Sequence, residues 1–282
     1  MVHDLGTSPR GGWYRFWAAY MAAQARNTGR PREAIDRRVV WFFREMCQRI
    51  GPTVCLELGA HGGTFSQWAK TTFPDARCIA LEANPYVYGV HRERLGELGV
   101  EYYHLAAAAT NGQVTLHIPT SVRGRPRNRD TIRMASLGFH RNADGYEAAA
   151  VEAVRVDDFV DLTEDDRLVA WIDVEGASDV VLSGGHDVLA RADAVYIEVE
   201  RVETWTGQWL DTDVAGFFRD LGKVPAIRDI QRGNQYNVVF LDDELAARAA
   251  VARRAARVLT PPPGPPPPDT PSAAEQAPPT GG

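Results

Sequence analysis

From residue 54 onward the chain repeats one pattern: a short apolar run, a break rich in glycine or proline, then a stretch with helical spacing. VCLELG (54–59) leads into a helix predicted over 64–72, RCIALEANP (77–85) into one over 86–98, and VEYYHLAAA (100–108) follows as a third strand. In the first run only Glu57 interrupts the apolar residues, as in a strand buried on both faces. This βαβαβ succession predicts an α/β fold with a mainly parallel, Rossmann-like sheet, right-handed crossovers and helices on both faces. Ligands in such a sheet bind beyond the carboxyl ends of the strands. Farther on, VTLHIP (114–119) reads as an additional strand, residues 121–130 as a mobile arginine-rich loop, and LVAWIDVEG (168–176) as the sheet's fourth strand. A helix through Leu189, a strand AVYIEVE (194–200), a helix over 214–221 and a strand YNVVFL (236–241) complete the domain.

Upstream, residues 13–50 read as helical with a break at 27–31. Trp13, Phe16, Trp17, Tyr20 and Met21 fall on one helical stripe that needs a partner surface, and Val39, Val40, Phe42, Phe43 and Met46 repeat the spacing before Gly51-Pro52 ends the run. These helices are expected to pack on the core; a lid, a substrate wall or a homodimer contact are the other roles open to them. Residues 242–259 are rich in alanine and arginine and favour helix, whereas 260–282 are dominated by Pro, Gly, Ser and Ala and predict a disordered tail. The chain therefore divides into a helical N-terminal extension (1–51), an α/β domain (52–259) and the proline-rich tail (260–282).

Composition narrows the partners. With 282 residues, 44% of them hydrophobic, the chain can bury a sizeable core without staples. Cys47, Cys55 and Cys78 lack metal-ligand spacing and read as buried reduced thiols, which favours a cytoplasmic setting. A net charge of −6 argues against nucleic acid, and no apolar run suits export or a membrane span, so a small-molecule substrate is expected.

The chemistry gathers at strand ends. The loop Gly59-Ala-His-Gly62-Gly63 departs from the G-x-G-x-x-G of a pyrophosphate site, and Glu57 just before it would repel phosphates. A carboxylate there suits a cationic ligand, such as the ammonium and sulfonium of S-adenosylmethionine. Glu82 ends the next strand 25 residues later, near the ~20-residue spacing at which an acid reaches ribose hydroxyls. At the fourth strand's end, Asp173 and Glu175 bracket Val174, so a regular strand would turn both toward the cleft. Either could take a substrate proton, orient a hydroxyl, or hold a divalent ion with Glu198 or Glu200; Glu175 could equally cap the following helix. Arg123, Arg125, Arg127 and Arg129 could clamp an anionic substrate or simply be solvated, and His104 and His140 are further acid–base candidates.

Together LELGAHGGTFSQWA, IALEANP, VRVDDF, WIDVEGASDVVLSG and YIEVE resemble the successive motifs of FkbM-type S-adenosylmethionine-dependent methyltransferases across residues 54–200. The resemblance implies a class I methyltransferase fold and O-methylation of secondary metabolites, sugars or lipids. Position by position it implies Glu57, Gly59 and Gly63 on the methionine side of the cofactor, Glu82 on the ribose, and Asp173 at the reacting centre. Ala60, His61, Phe65, Ser66, Ala83 and Asn84 join the cofactor set, Ser136 and Glu175 the substrate side, and His140 stands beside Asp173 as a catalytic candidate. The chain departs from the family at His61, where asparagine is usual, at Ala83 for proline, and at Ser178 for an acid. Ser178 weakens a metal at that turn, so no metal ligand is assigned and magnesium stays an option. A non-catalytic methyltransferase-like binding module and a nucleotide-sugar or nicotinamide enzyme are the alternative readings.

Overall fold

The computed structural model describes residues 9–230 and 233–258, with side chains from Tyr14 on. Helices α1 (Pro9–Arg26) and α2 (Arg32–Ile50) precede β1 (Val54–Leu58), α3 (Thr64–Thr72), β2 (Arg77–Leu81), α4 (Pro85–Glu97) and β3 (Glu101–Tyr103). Strands β4 (Ala106–Ala107), β5 (Gly112–Val122), β6 (Arg125–Pro126) and β7 (Ala143–Val154) follow. After them come α5 (Val156–Phe159), β8 (Leu168–Ile172), α6 (Ser178–Gly184), α7 (His186–Ala190), β9 (Ala192–Glu200) and α8 (Asp211–Asp220). The described chain ends with β10 (Lys223–Arg228), β11 (Gln235–Asp242), α9 (Asp243–Ala247) and α10 (Ala249–Val258).

Seven strands form the main sheet in the order β10-β11-β9-β8-β1-β2-β3. β3, β2, β1, β8 and β9 run parallel in sequence, and only β11 is antiparallel to its neighbours. This is the class I methyltransferase arrangement that the motifs implied. The strand order reverses at β1, which lies between β2 and β8, so a crevice opens beyond the carboxyl ends of β1 and β8. Alternate residues of β1 feed two cores: Val54, Leu56 and Leu58 face α6, α7 and α8, while Cys55 faces the layer of α2 and α3. All three cysteines are free and buried, as expected. No helix among the described residues is long and apolar enough to cross a membrane.

Three departures from the sequence reading have physical causes. The 12-residue strand β7, ADGYEAAAVEAV, is mostly alanine and glutamate, which favour helix, and its long antiparallel ladder with β5 imposes the conformation. With β4, β5 and β6 it makes a second, four-stranded sheet. The arginine-rich 121–130 segment is accordingly the tip of a hairpin rather than a free loop: Asp144 accepts from the Ser121 hydroxyl at 2.9 Å and the Gly124 amide at 2.6 Å. Strand β10 contains Pro225 and was not anticipated; it lies at the sheet's edge, where a residue without an N–H is tolerated.

A further departure concerns α1. The aromatic stripe read as its packing face is largely outside: Phe16 is 66% exposed, Tyr20 49% and Trp17 38%, while of that set Met21 is buried. Trp13 lies outside the described side chains. The buried face is Tyr14, Ala18, Met21, Ala22 and Ala25, whose small residues let α1 lie close against α8. Packing of α2 is as expected, through Ile35, Val39, Phe42, Phe43, Met46 and Cys47. The C-terminal helical run is interrupted at Arg248, which has extended backbone, and the proline-rich tail lies outside the described residues.

A buried hydrogen-bond chain ties α1 to the sheet. Tyr236 on β11 donates to Asp211 at 2.6 Å, and Tyr14 therefore donates to the Tyr236 oxygen at 2.7 Å. The Arg228 guanidinium lies 3.3 Å from the centroid of the Tyr236 ring. Removing the Tyr236 hydroxyl takes the partner from the buried Tyr14 hydroxyl and one donor from Asp211. Tyr236→Phe should cost about 2 kcal/mol in denaturant unfolding, and a loss below about 0.5 kcal/mol would show the chain to be dispensable.

Candidate active site

A cleft opens at the sheet's switch point, the place where α/β sheets of this kind bind their ligands. Its walls come from three places: the β1 and β2 ends (Gly59, His61, Glu82, Ala83), the β8 end (Asp173, Val174, Glu175), and the second sheet with its following loop (Leu116, Arg133, Ser136).

Close backbone approach builds the floor. Gly59 has φ +73°, and a Cβ placed on it would stand 1.8 Å from the carbonyl oxygen of Asp173. Only glycine lets the ends of β1 and β8 meet here. The Asp173 amide in turn donates to the Leu58 carbonyl at 2.9 Å.

Glu57 and Glu82, the two acids singled out in the sequence, have separate tasks. Glu82 accepts from the backbone N–H of His61 at 2.6 Å and of Asn84 at 2.7 Å, and its carboxyl borders the cleft. It thereby ties the glycine loop to the end of β2. Glu57 differs from its assignment: its two oxygens accept from the amides of Phe65 at 3.1 Å and Ser66 at 2.8 Å, at the first turn of α3, and it does not line the cleft. An anion is favoured there by the helix's unpaired N–H groups. Burial pushes both carboxyls up to about 7.

Several other residues assigned to the cofactor also lie off the cleft, each for a structural reason. Phe65 stacks on Trp171 within the α2 and α3 layer. The Ser66 amide serves Glu57, and Ala60 donates to the Leu81 carbonyl at 2.9 Å. Gly63, with φ +64°, has no room for a Cβ beside Leu95. The Asn84 side chain caps α4 by accepting from Tyr86 and Val87. His61 does line the cleft. It has φ +46°, its carbonyl accepts from Tyr102 at 2.6 Å, and its Nε2 is buried without a partner. Ala83 and Ser136 line the cleft as well, the Ser136 hydroxyl accepting from the Gly138 amide at 3.1 Å. His104 is bonded to the Ala83 carbonyl and stacked on Tyr88, which is a structural role.

Asp173 and Glu175 meet at the cleft by a different route from strand alternation. Strand β8 ends at Ile172, and the chain turns through Glu175 at φ +44° and Gly176 at φ +76°. The Trp205 ring seals this turn, within 2.7 Å of where a Gly176 Cβ would be. Glu175 makes no helix cap, since α6 starts after Ala177 without side-chain capping. The Oδ1 of Asp173 is buried with no hydrogen-bond partner. Burial pushes the Asp173 carboxyl up to about 6, and the Arg133 guanidinium works against that rise. Glu175 and Glu198 are raised well above the usual range by burial, then by the neighbouring acids. Gln235 donates to Glu198 at 3.1 Å and to Glu200 at 3.4 Å, and Glu200 is raised to about 7. Oxygens of Asp173, Glu175 and Glu198 lie within 4.8 Å of one another, close enough to share a divalent ion. Without a second sign of an ion, this clustering assigns no metal; its direct physical consequence is proton retention. The sequence named Glu198 and Glu200 only as possible metal partners, and their role in raising the proton affinity of Glu175 became visible once β9 was placed beside β8.

His140 is not in this cleft. It lines an adjoining one with Arg123, Arg127 and Trp205, and among the described residues only Glu175 borders both. Its Nδ1 accepts from the Asn142 amide at 3.1 Å, and its ring meets Trp205 edge-on at 5.1 Å.

The chain is similar to several known proteins. The 2-O-methyltransferase NoeI of Sinorhizobium fredii (strain NBRC 101917 / NGR234) is 25% identical over 162 residues, 55% of this chain and 66% of that protein. Methyltransferase FkbM from Methylobacillus flagellatus KT aligns at 10% identity with a TM-score of 0.43, covering 68% of this chain and 44% of that one. An S-adenosylmethionine-dependent methyltransferase from Clostridium acetobutylicum ATCC 824 aligns at 6% identity with a TM-score of 0.39, covering 82% and 98%. The chain thus spans just under two thirds of its curated relative. Residues 57–225, more than half of the chain, match the methyltransferase FkbM domain. They contain the glycine loop, Glu82 and the Asp173 turn, and by this match the chain belongs to the FkbM methyltransferase family.

Proposed function

We propose that the protein transfers the methyl group of S-adenosylmethionine to a hydroxyl of a small molecule, such as a sugar moiety or a secondary metabolite. One observation carries the reading. At the switch point of a class I sheet, the cleft brings together a strand-end acid at β2 (Glu82), a glycine floor (Gly59) and a carboxylate with an unpartnered buried oxygen (Asp173). Two buried polar atoms without protein partners, Asp173 Oδ1 and His61 Nε2, belong to the cleft's walls and suit a polar ligand that satisfies them. The residues present therefore fit the cofactor. Glu82 would hold its ribose hydroxyls, and Gly59 and His61 would leave room for its methionine part. The relative's 2-O-methyl transfer supports a hydroxyl acceptor.

When bound, S-adenosylmethionine supplies an activated methyl on a sulfonium that departs as a neutral thioether. The chain's own work is placement and proton handling. A hydroxyl nucleophile must lie in line, about 3 Å from the methyl carbon, with water excluded. An O–C bond forms as the S–C bond breaks, and the hydroxyl proton passes to a carboxylate, for which Asp173 is best set. Glu175, holding its proton more tightly, is suited to orient the acceptor by a hydrogen bond.

The test is transfer of labelled methyl from S-adenosylmethionine to a panel of hydroxylated glycosides, each paired with its amino analogue, followed by product linkage analysis. Methyl ethers are expected. Methylation of only the amino analogues would overturn the hydroxyl assignment.

A further inference from the structure

The adjoining cleft is lined on one side by the hairpin of β5 and β6 and on another by Trp205 and Gln235, and it meets the cofactor cleft at Glu175. An acceptor entering here would reach Glu175 through a cleft that no glycine-loop residue lines. This cleft joins guanidinium groups to the border of the cofactor cleft. Arg141 is paired with Glu203, so their charges cancel. Arg123 and Arg127 line the same cleft, and no carboxylate among the described residues is paired with either. The hairpin is built to hold them. Arg123 and Gly124 form a two-residue turn between the paired residues Val122 and Arg125, with φ +51° and +69°. A left-handed arginine is strained, yet the turn is held in place. Arg123 donates its amide to Asn142 at 3.0 Å, Arg127 donates its amide to Thr120 at 2.9 Å, and Asp144 binds the turn from below. Arg129, nearby in sequence, is excluded from the group: its guanidinium lies 4.1 Å from the Tyr86 ring centroid and 3.6 Å from Glu147.

Resting on the methyl-transfer reading, we infer that the acceptor carries an oxyanion, a phosphate, sulfate or carboxylate group, bound by Arg123 and Arg127 while its hydroxyl lies at Glu175. Two guanidinium groups in an open cleft attract a planar or tetrahedral oxyanion by charge-assisted hydrogen bonds. The acid cluster at the far end would repel that same group. The charge gradient along the cleft therefore fixes the acceptor's direction as well as its class, with the anionic end on the hairpin and the neutral hydroxyl at the carboxylates. Specificity for an acidic acceptor over its neutral analogue would reside in the hairpin.

The experiment titrates inorganic phosphate, sulfate and acetate into the full-length protein, with and without saturating S-adenosylhomocysteine, and reads phosphorus line broadening for phosphate and calorimetry for the other two. R123Q/R127Q should weaken phosphate at least tenfold, with melting temperature and S-adenosylhomocysteine affinity unchanged. R92Q, which alters an exposed arginine on α4, should leave phosphate unchanged. Stronger binding of phosphate than acetate would assign the site to phosphate esters, and the reverse to carboxylates. Equal affinity of wild type and R123Q/R127Q for each of the three anions, or binding of none of them by wild type, would overturn the inference. Failure of S-adenosylhomocysteine to bind while phosphate still responds to the hairpin arginines would instead count against the methyl-transfer reading.

Discussion

Gly59→Ala is expected to lower stability by about 3 kcal/mol or more and to weaken S-adenosylhomocysteine at least tenfold. Two effects add. The new Cβ would sit 1.8 Å from the Asp173 carbonyl oxygen and 2.7 Å from its carbon, and both are backbone atoms that no rotamer change can move. The position also has φ +73°, where a side chain costs about 1 kcal/mol even in open space. To relieve the clash, the end of β1 must part from the end of β8, and that displaces the wall carrying Asp173. Gly62→Ala is the matched comparison. Its Cβ would meet only the His91 ring at 3.4 Å, ordinary contact with a movable side chain, so melting temperature and binding should hardly change. If the Gly59 variant is too unstable to titrate, the melting-temperature contrast between the two variants still tests the close approach. Equal melting temperatures would refute it.

Asp173→Asn should lower kcat by a factor of about 10²–10⁴ while S-adenosylhomocysteine affinity stays within about threefold. The amide keeps the shape of the side chain and cannot take the hydroxyl proton. The pH profile separates this role from a structural one. Burial holds the Asp173 carboxyl at about 6, so wild-type kcat should rise as pH passes through about 6, and this limb should vanish in the variant. Stability moves the other way. The carboxyl ionises near 3.8 when unfolded and near 6 when folded, so the folded state retains the proton longer and stability falls as pH climbs between those values. Above about 6 the cost is fully present. Asp173→Asn carries no such charge and should melt no lower than wild type at pH 7. Unchanged kcat would exclude Asp173 as the base, whereas a large loss of cofactor affinity would move its role to binding.

The frame of the fold was legible because its apolar runs are continuous and punctuated. VCLELG, RCIALE and LVAWID are buried on both faces and become β1, β2 and β8 in one parallel sheet. The second sheet was hidden because β7 is mostly alanine and glutamate, residues that favour helix, and only its partner β5 makes it a strand. On α1 periodicity selected the wrong face. Hydrophobicity alone favours Trp17 and Tyr20, but close packing against α8 favours Ala18, Ala22 and Ala25.

At the site, strand-end position was the readable signal, and direction was not. Glu82 and Asp173 were placed on the cleft by their strands' ends. Glu57 sits one residue before its strand's end, two positions earlier than Glu82 and Asp173 relative to theirs, and there it lies within reach of the first turn of α3 and accepts its amides. The α3 residues Phe65 and Ser66 followed it away from the cleft. The division of the four hairpin arginines could not be read from spacing, because it depends on Tyr86 and Glu147, both distant in sequence, which hold Arg129.

The most direct test is a calorimetric titration of S-adenosylhomocysteine into wild type and Glu82→Ala, with circular dichroism to verify folding. One site of micromolar affinity is expected, weakened at least tenfold in the variant because Glu82 both faces the cleft and anchors the His61 and Asn84 amides. Absence of binding by the folded wild type, or equal affinity in folded Glu82→Ala, would contradict a cofactor site at this cleft.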